Sequence, residues 1–206
     1  REIALLAKRF PGRNSYPADM FSLHARLLER AGNFKVKDGE SSITCLPVVE
    51  TTQGDFTGYL QTNVMSMTDG HIFFDSDLFY KGRRPAINPF LSVTRVGRQT
   101  QPKLKRDMQR EISVALTLFE KSERFTHFGA ELSEGVKLSL SIGENIVNFF
   151  DQAPEKIIPP NIQVVLFSML WRGTWQQESV SKMRADMEKI TALYESDKNL
   201  AALIDK

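Results

Sequence analysis

Apolar positions follow two regimes along this chain, and the change comes near residue 97. Before it, short β-rich runs alternate with short helical patterns. In "SYPADMFSLHARLLERA", Met20, Leu23, Leu27, Leu28 and Ala31 recur three and four apart, which predicts an amphipathic helix. Pro17 suits its first turn. "SSITCLPVVET" is an apolar, β-branched run and predicts a buried strand. "TGYLQTNVM" and "GHIFFDS" are further strand candidates on either side of the turn signal "TDG" at residues 68–70. "SDLFYKG" predicts a short helix capped by Ser76 and stopped by Gly82, and "FLSVTRV" a last strand. Strands alternating with helices predict a largely parallel α/β sheet.

After residue 97 nearly every segment has helical period. Leu104, Met108, Ile112, Ala115, Leu116 and Phe119 form one stripe; Leu132, Val136, Ile142, Ile146 and Phe149 form a less regular second. "PPNIQVVLFSMLW" opens on two prolines and is apolar all round, which predicts a central buried helix. Val180, Met183, Met187, Ile190 and Tyr194 alternate steps of three and four. Such stripes do not stand alone in water and predict a helical bundle, with the methionines and aromatics as core. The expected division is residues 1–97 and 98–206. The opening "REIALLAKR" reads as the middle of a helix without a cap, so the chain is expected to be a piece of a longer protein.

Composition narrows the class without naming a function. The 206 residues are 41% hydrophobic and 25% charged, as in ordinary globular domains. A net charge of +2 argues for neither nucleic acid nor membrane. One cysteine, Cys45, excludes an internal disulfide, and its apolar setting predicts a small buried hydrophobe. No apolar run reaches the roughly 20 residues of a spanning helix.

Most catalytic signatures are missing. None of the twelve glycines stands in a GxxxxGK[ST] frame, and His24, His71 and His127 lack metal-ligand spacing. There is no GxSxG, and no acid–base pair stands out among the carboxylates. Charge is uneven, however. Residues 81–110 hold nine basic side chains (Lys81, Arg83, Arg84, Arg95, Arg98, Lys103, Lys105, Arg106 and Arg110) against Asp107 alone. That cluster suits phosphates, or else a solvated surface. Arg95 is set apart because it ends an apolar strand pattern. Strand ends of α/β sheets are where ligands bind, and a planar, charged fork there can stabilise a transferring phosphoryl group. A strand-end arginine covering its own stem is the alternative.

Longer stretches carry a resemblance. "RFPGRNSYPADMFSLHARLLERAG", followed by "SSITCLPVVETTQGDFTGYLQTNVMSMTDGHIFFDSDLFYKGRRPAINPFLSVTRVG", resembles the alpha-subunit family of rotary (F-type) ATP synthases. It covers residues 1 to about 153 well and the remainder loosely, where "NIQVVLFSMLWRGTWQQ" keeps Gln163 and Gly173. The motifs "TNVMSMTDG" and "RPAIN…SVTRVG" distinguish this family from catalytic beta subunits. The resemblance implies the C-terminal part of a RecA-like nucleotide-binding domain followed by a helical bundle domain. The phosphate loop and the magnesium-holding acidic residue would lie upstream of Arg1, so the fragment alone would be inactive.

By the same resemblance Arg95 stands where the family places an arginine finger acting in trans, with Ser92 and Ser66 near the same catalytic site. Phe79, Arg84, Pro85 and Gln152 match positions beside the adenine of a second, non-catalytic nucleotide. A further glutamine of that site falls on Pro154, which offers no amide. Arg83, the "NPF" at residues 88–90 and Arg98 also depart from the family pattern. The implied function is ATP synthesis or hydrolysis coupled to transmembrane proton or sodium flow, with ATP/ADP and Mg2+ as cofactors. The implied partners are catalytic beta subunits in an alternating hexamer, a central-stalk gamma subunit and a peripheral stalk. Neither nucleic acid nor direct membrane insertion is implied. The implied place is peripheral, on the cytoplasmic face of a bacterial membrane or the matrix or stromal face of an organelle. A divergent, non-enzymatic assembly or regulatory module and a RecA-like motor subunit remain as alternatives.

Overall fold

The computed structural model describes residues 6–8, 16, 19–52, 54–127, 133–176 and 178–205, without the side chains of 125–127. The chain divides into two compact units: residues 1–76 with 87–97, and residues 77–86 with 98–206.

In the first unit, helix α1 (Met20–Leu28) and helix α2 (Tyr59–Met67) meet through Phe21 and Tyr59, whose ring centroids are 4.6 Å apart. Asn63, buried on α2, sits 3.3 Å from His24 Nδ1 on α1. Strands β1 (Gly32–Val36) and β2 (Gly39–Ile43) form an antiparallel hairpin, and β3 (Gly70–His71) pairs antiparallel with β4 (Val93–Thr94).

Several expectations fail in this unit. "TGYLQTNVM" is helix, not strand. Its β-favouring hydroxyl residues are accommodated by back-bonding: Thr62 Oγ1 donates to the Gly58 carbonyl at 2.8 Å and Ser66 Oγ to the Asn63 carbonyl at 2.7 Å. With that segment helical, the described residues form two antiparallel ladders rather than a parallel sheet. "SSITCLPVVET" is strand only at its start; Cys45 is exposed and Val48 is 96% exposed, because no described strand covers it. The "FLSVTRV" strand is also shortened to Val93–Thr94. Asn88 Oδ1 accepts from the amides of Phe90 and Leu91, and this turn diverts the chain before β4. The expected opening helix lies almost wholly outside the described residues, as do Pro17 and Leu132.

The second unit begins with helix α3 (Ser76–Tyr80), whose last four residues belong to it. Gly82 ends the helix at φ +86°, as the sequence predicts. A short helix, α4 (Gly97–Thr100), precedes the bundle. The bundle helices are α5 (Lys103–His127), α6 (Glu134–Phe150), α7 (Pro160–Trp171), α8 (Val180–Ser196) and α9 (Lys198–Ile204). Pro160 occupies the first turn of α7, and Gly173, at φ +81°, closes it. There the Thr174 amide reaches the Met169 carbonyl and the Gly173 amide that of Leu170. Ser179 caps α8, and Asp197 caps α9 through the amides of Asn199 and Leu200.

The core lies where the stripes predict it. Ile162 and Leu166 of α7 are fully buried, against Leu116, Ile146, Phe149, Met183 and Met187. Leu104, Ile142 and Val180 belong to the predicted stripes but are exposed. Gly143 admits Phe119: a Cβ there would lie 2.2 Å from the ring. The last helix is tethered by Asp205, which accepts from Tyr194 Oη at 2.7 Å and Asn161 Nδ2 at 2.9 Å. These bonds lower the pKa of the Asp205 carboxyl and raise that of the Tyr194 hydroxyl.

Ile162→Ala should cost about 2–5 kcal/mol, read as a lower unfolding midpoint in urea. Gly143→Ala should also destabilise, by about 1–3 kcal/mol from overpacking, and Phe119→Ala in the same chain should recover part of that loss. The α9 tether should be complete above the ordinary carboxylate value of 3.8 and fail as pH falls through the lowered pKa of Asp205. Raising pH past the ordinary tyrosine value of 10.0 and through the raised pKa of Tyr194 should also release it. Amide exchange in 198–205 as a function of pH reads both edges.

Candidate functional site

The sequence singles out two groups of residues, and the structure assembles each within one unit. Arg95 and Ser66 meet in the first. β3 and β4 approach so closely that a Cβ on residue 70 would lie 2.3 Å from the Val93 carbonyl oxygen, and Gly70 has φ +155°. Only glycine accepts both conditions. This pairing carries the chain directly into Arg95, whose amide donates to the Asp69 carbonyl at 2.9 Å.

The Arg95 side chain turns onto the C-terminus of α2. Its guanidinium donates to the carbonyls of Ser66 at 3.1 Å and Met65 at 3.2 Å. These are helix-end carbonyls without an intrahelical partner, at the negative end of the helix dipole. They orient the guanidinium without neutralising it, because neither is a carboxylate. Among the described residues two of its five N–H donors are used and three remain, on an exposed side chain. This arrangement can receive a multivalent anion such as phosphate.

The two serines have local duties. Ser66 Oγ is spent on the Asn63 carbonyl, so its contribution to Arg95 is its backbone. Ser92 Oγ donates to the Asn88 carbonyl at 2.6 Å and accepts from the Phe73 amide at 3.0 Å, joining the segment before β4 to the one after β3. It therefore fixes the backbone leading to Arg95. Sequence reasoning missed Gly70 and Asp69 as positioning residues, although "TDG" was legible as a turn.

Phe79, Arg84 and Gln152 meet in the second unit. The Arg84 guanidinium lies over the Phe79 ring, 3.7 Å from its centroid, and donates to the carbonyls of Phe79 at 2.9 Å and Arg83 at 2.8 Å. The Arg84 amide donates to Asp151 Oδ1 at 3.0 Å, and the Gln152 amide to the Arg84 carbonyl at 2.7 Å. Asp151 also pairs with Arg184 through its other oxygen. Pro85 follows Arg84 through a cis peptide and is exposed. Gln152 Nε2 is bonded to the Lys156 carbonyl, which leaves its carbonyl oxygen to accept from a ligand. Asp151, whose carboxylate holds the Arg84 amide beside Gln152, had no sequence signal beyond its place next to that residue.

A half-exposed aromatic face, a guanidinium and a free amide oxygen suit a purine: the first two against its π system, the last for an exocyclic amine. Among the described residues no three His, Cys, Asp or Glu side chains converge to hold a metal ion. No helix among them is long and apolar enough to cross a membrane.

Comparison with known proteins agrees with both halves of the chain. Residues 1–94 match the model of the ATP synthase alpha/beta family, nucleotide-binding domain, and residues 101–206 match that of the ATP synthase alpha/beta chain, C terminal domain. The chain is 40% identical over 203 residues to ATP synthase subunit alpha of Acholeplasma laidlawii (strain PG-8A), covering 97% of this chain and 40% of the relative. It is 42% identical over 183 residues to ATP synthase subunit alpha of Helicobacter pylori (strain Shi470), covering 89% of this chain and 36% of the relative. It thus spans about two fifths of the length of the curated relatives it matches. With both family models matched in order and together covering nearly every residue, the chain belongs to the ATP synthase alpha/beta family.

Proposed function

We propose that this chain is part of a non-catalytic, alpha-type subunit of a rotary ATP synthase head, and that it supplies Arg95 to a nucleotide held by a neighbouring catalytic subunit. The observation that carries this reading is the grip on Arg95. An exposed guanidinium oriented by two carbonyls keeps its whole charge and three donors for an anion from elsewhere. As the bond between the terminal phosphoryl group and ADP forms or breaks, charge spreads over the phosphoryl oxygens, and a positioned cation lowers the barrier. Ser66 and Ser92 act through backbone placement of that cation.

Phe79, Arg84, Pro85 and Gln152 bind the adenine end of a second ATP or ADP that is not turned over. Magnesium would accompany the phosphates of that nucleotide. The partners on this reading are beta-type subunits alternating with this one, a central stalk and a peripheral stalk, with the complex seated peripherally on a membrane that carries a proton or sodium gradient. A regulatory paralogue without turnover is the second reading. It is favoured by Pro154, which puts a residue without a side-chain amide two positions after Gln152.

In the full-length protein assembled with its catalytic partner, Arg95→Ala should lower ATP turnover by about a thousandfold or more. Nucleotide affinity should stay within about threefold. Turnover near that of the parent would overturn the assignment of Arg95. Phe79→Ala and Arg84→Ala should each weaken binding of a fluorescent adenine nucleotide to the isolated full-length subunit by about tenfold, a cost in line with one lost aromatic or cation contact. Unchanged affinity in both would favour the regulatory paralogue.

A further inference from the structure

The outer face of α5 carries a basic stripe that neither site uses. Lys103, Arg106 and Arg110 stand at its beginning and Lys121 and Arg124 towards its end, with Ser113 and Thr117 between. At 3.6 residues per turn these positions stay within about 80° of arc and run for about 31 Å. No acidic residue falls inside the arc; Asp107 and Glu111 flank one edge and Glu120 the other. The opposite face, with Met108, Ile112, Ala115 and Leu116, is committed to the core.

The stripe is largely uncompensated. Arg110 approaches Glu111 at 3.5 Å, while Lys103, Arg106, Lys121 and Arg124 form no ion pair among the described residues. Like charges three and four apart on a helix repel, and Asp107 and Glu120, four positions from Lys103 and Arg124, offset that repulsion only from the edges of the stripe.

The centre of the stripe is built differently from its ends. Ser113 Oγ donates to the Gln109 carbonyl at 2.8 Å and Thr117 Oγ1 to the Ser113 carbonyl at 2.7 Å. Both hydroxyls are thereby turned onto their own helix, leaving a small surface with its donors satisfied. Val114 and Leu118 lie exposed alongside it. A second helix can approach such a centre closely while its charged ends pair with the basic ends. Lys103, Arg110, Thr117 and Arg124 also recur every seven residues, the interval at which a crossing helix meets the same face again. The stripe lacks the aromatic side chains that stack on bases or anchor in a lipid interface.

We propose that this face of α5 docks an acidic helix of another protein chain, with carboxylates over the two basic ends and a small or apolar centre over Ser113 and Thr117. The inference is independent of Arg95, because it concerns association rather than turnover.

The test uses the full-length protein in the complex isolated from its cells, treated with a carbodiimide that joins amines to touching carboxylates. Peptide mapping should find Lys103 or Lys121 linked to an Asp or Glu of a second polypeptide, with the link surviving nuclease and detergent. Lys103→Gln with Lys121→Gln should abolish it. Arg106→Glu, Arg110→Glu and Arg124→Glu together should weaken retention of the linked chain by about tenfold. Failure to find any interchain link, when an amine-specific reagent labels both lysines, overturns the proposal. Ultraviolet cross-linking of the stripe to nucleic acid, or capture by vesicles containing phosphatidylserine instead of by protein, overturns it equally.

Discussion

The close approach of Gly70 to the Val93 carbonyl sets the terms for the first unit. Two short strands of two residues each hold little energy, yet their register decides where residue 95 falls. One step along a strand turns every side chain to the opposite face. The missing Cβ at residue 70, the Asp69 carbonyl on the Arg95 amide and the Ser92 hydroxyl on the Phe73 amide all hold the same register. Helix α2 then offers its open end to the guanidinium. The geometry at Arg95 rests on backbone groups throughout, which makes it a property of the local fold rather than of one paired side chain.

The second unit solves a different problem. Its stability comes from a conventional packed core around α7, and Phe79, Arg84 and Gln152 stand on short segments tied to that core. Asp151 follows α6 directly and its carboxylate accepts from the Arg84 amide, while the Gln152 amide donates to the Arg84 carbonyl and joins residues 84 and 152 at the level of the main chain. Stacking of Arg84 on Phe79 then needs only short-range order. Pro154 falls in the turn that follows, where the Lys156 carbonyl already occupies the amide of Gln152.

Legibility in the sequence followed the source of each element's stability. The long helices between residues 103 and 196 were readable because burial of apolar side chains determines them, and Ile146, Met183 and Met187 fall inside the core as their spacing predicts, while the closing helix Lys198–Ile204 had no such signal. Gly82 and Pro160 were readable because each acts through its own backbone preference. The segment 59–67 was not, since its threonine and tyrosine favour strand and only Phe21, His24 and back-bonded hydroxyls tip it to helix. Cys45 was misjudged because apolar neighbours in sequence do not guarantee neighbours in space. Arg95 was visible as an oddity, and Phe79, Arg84 and Gln152 only through resemblance. What holds them, a carbonyl or a backbone amide, has no residue-type signature.

The two carbonyls that steady Arg95 have one more consequence. Backbone oxygens neither take up nor release protons in water, so nothing in that grip can be titrated away. A carboxylate partner would have made the orientation of this side chain depend on local acidity. Held as it is, Arg95 keeps its aim whichever way the local proton concentration swings.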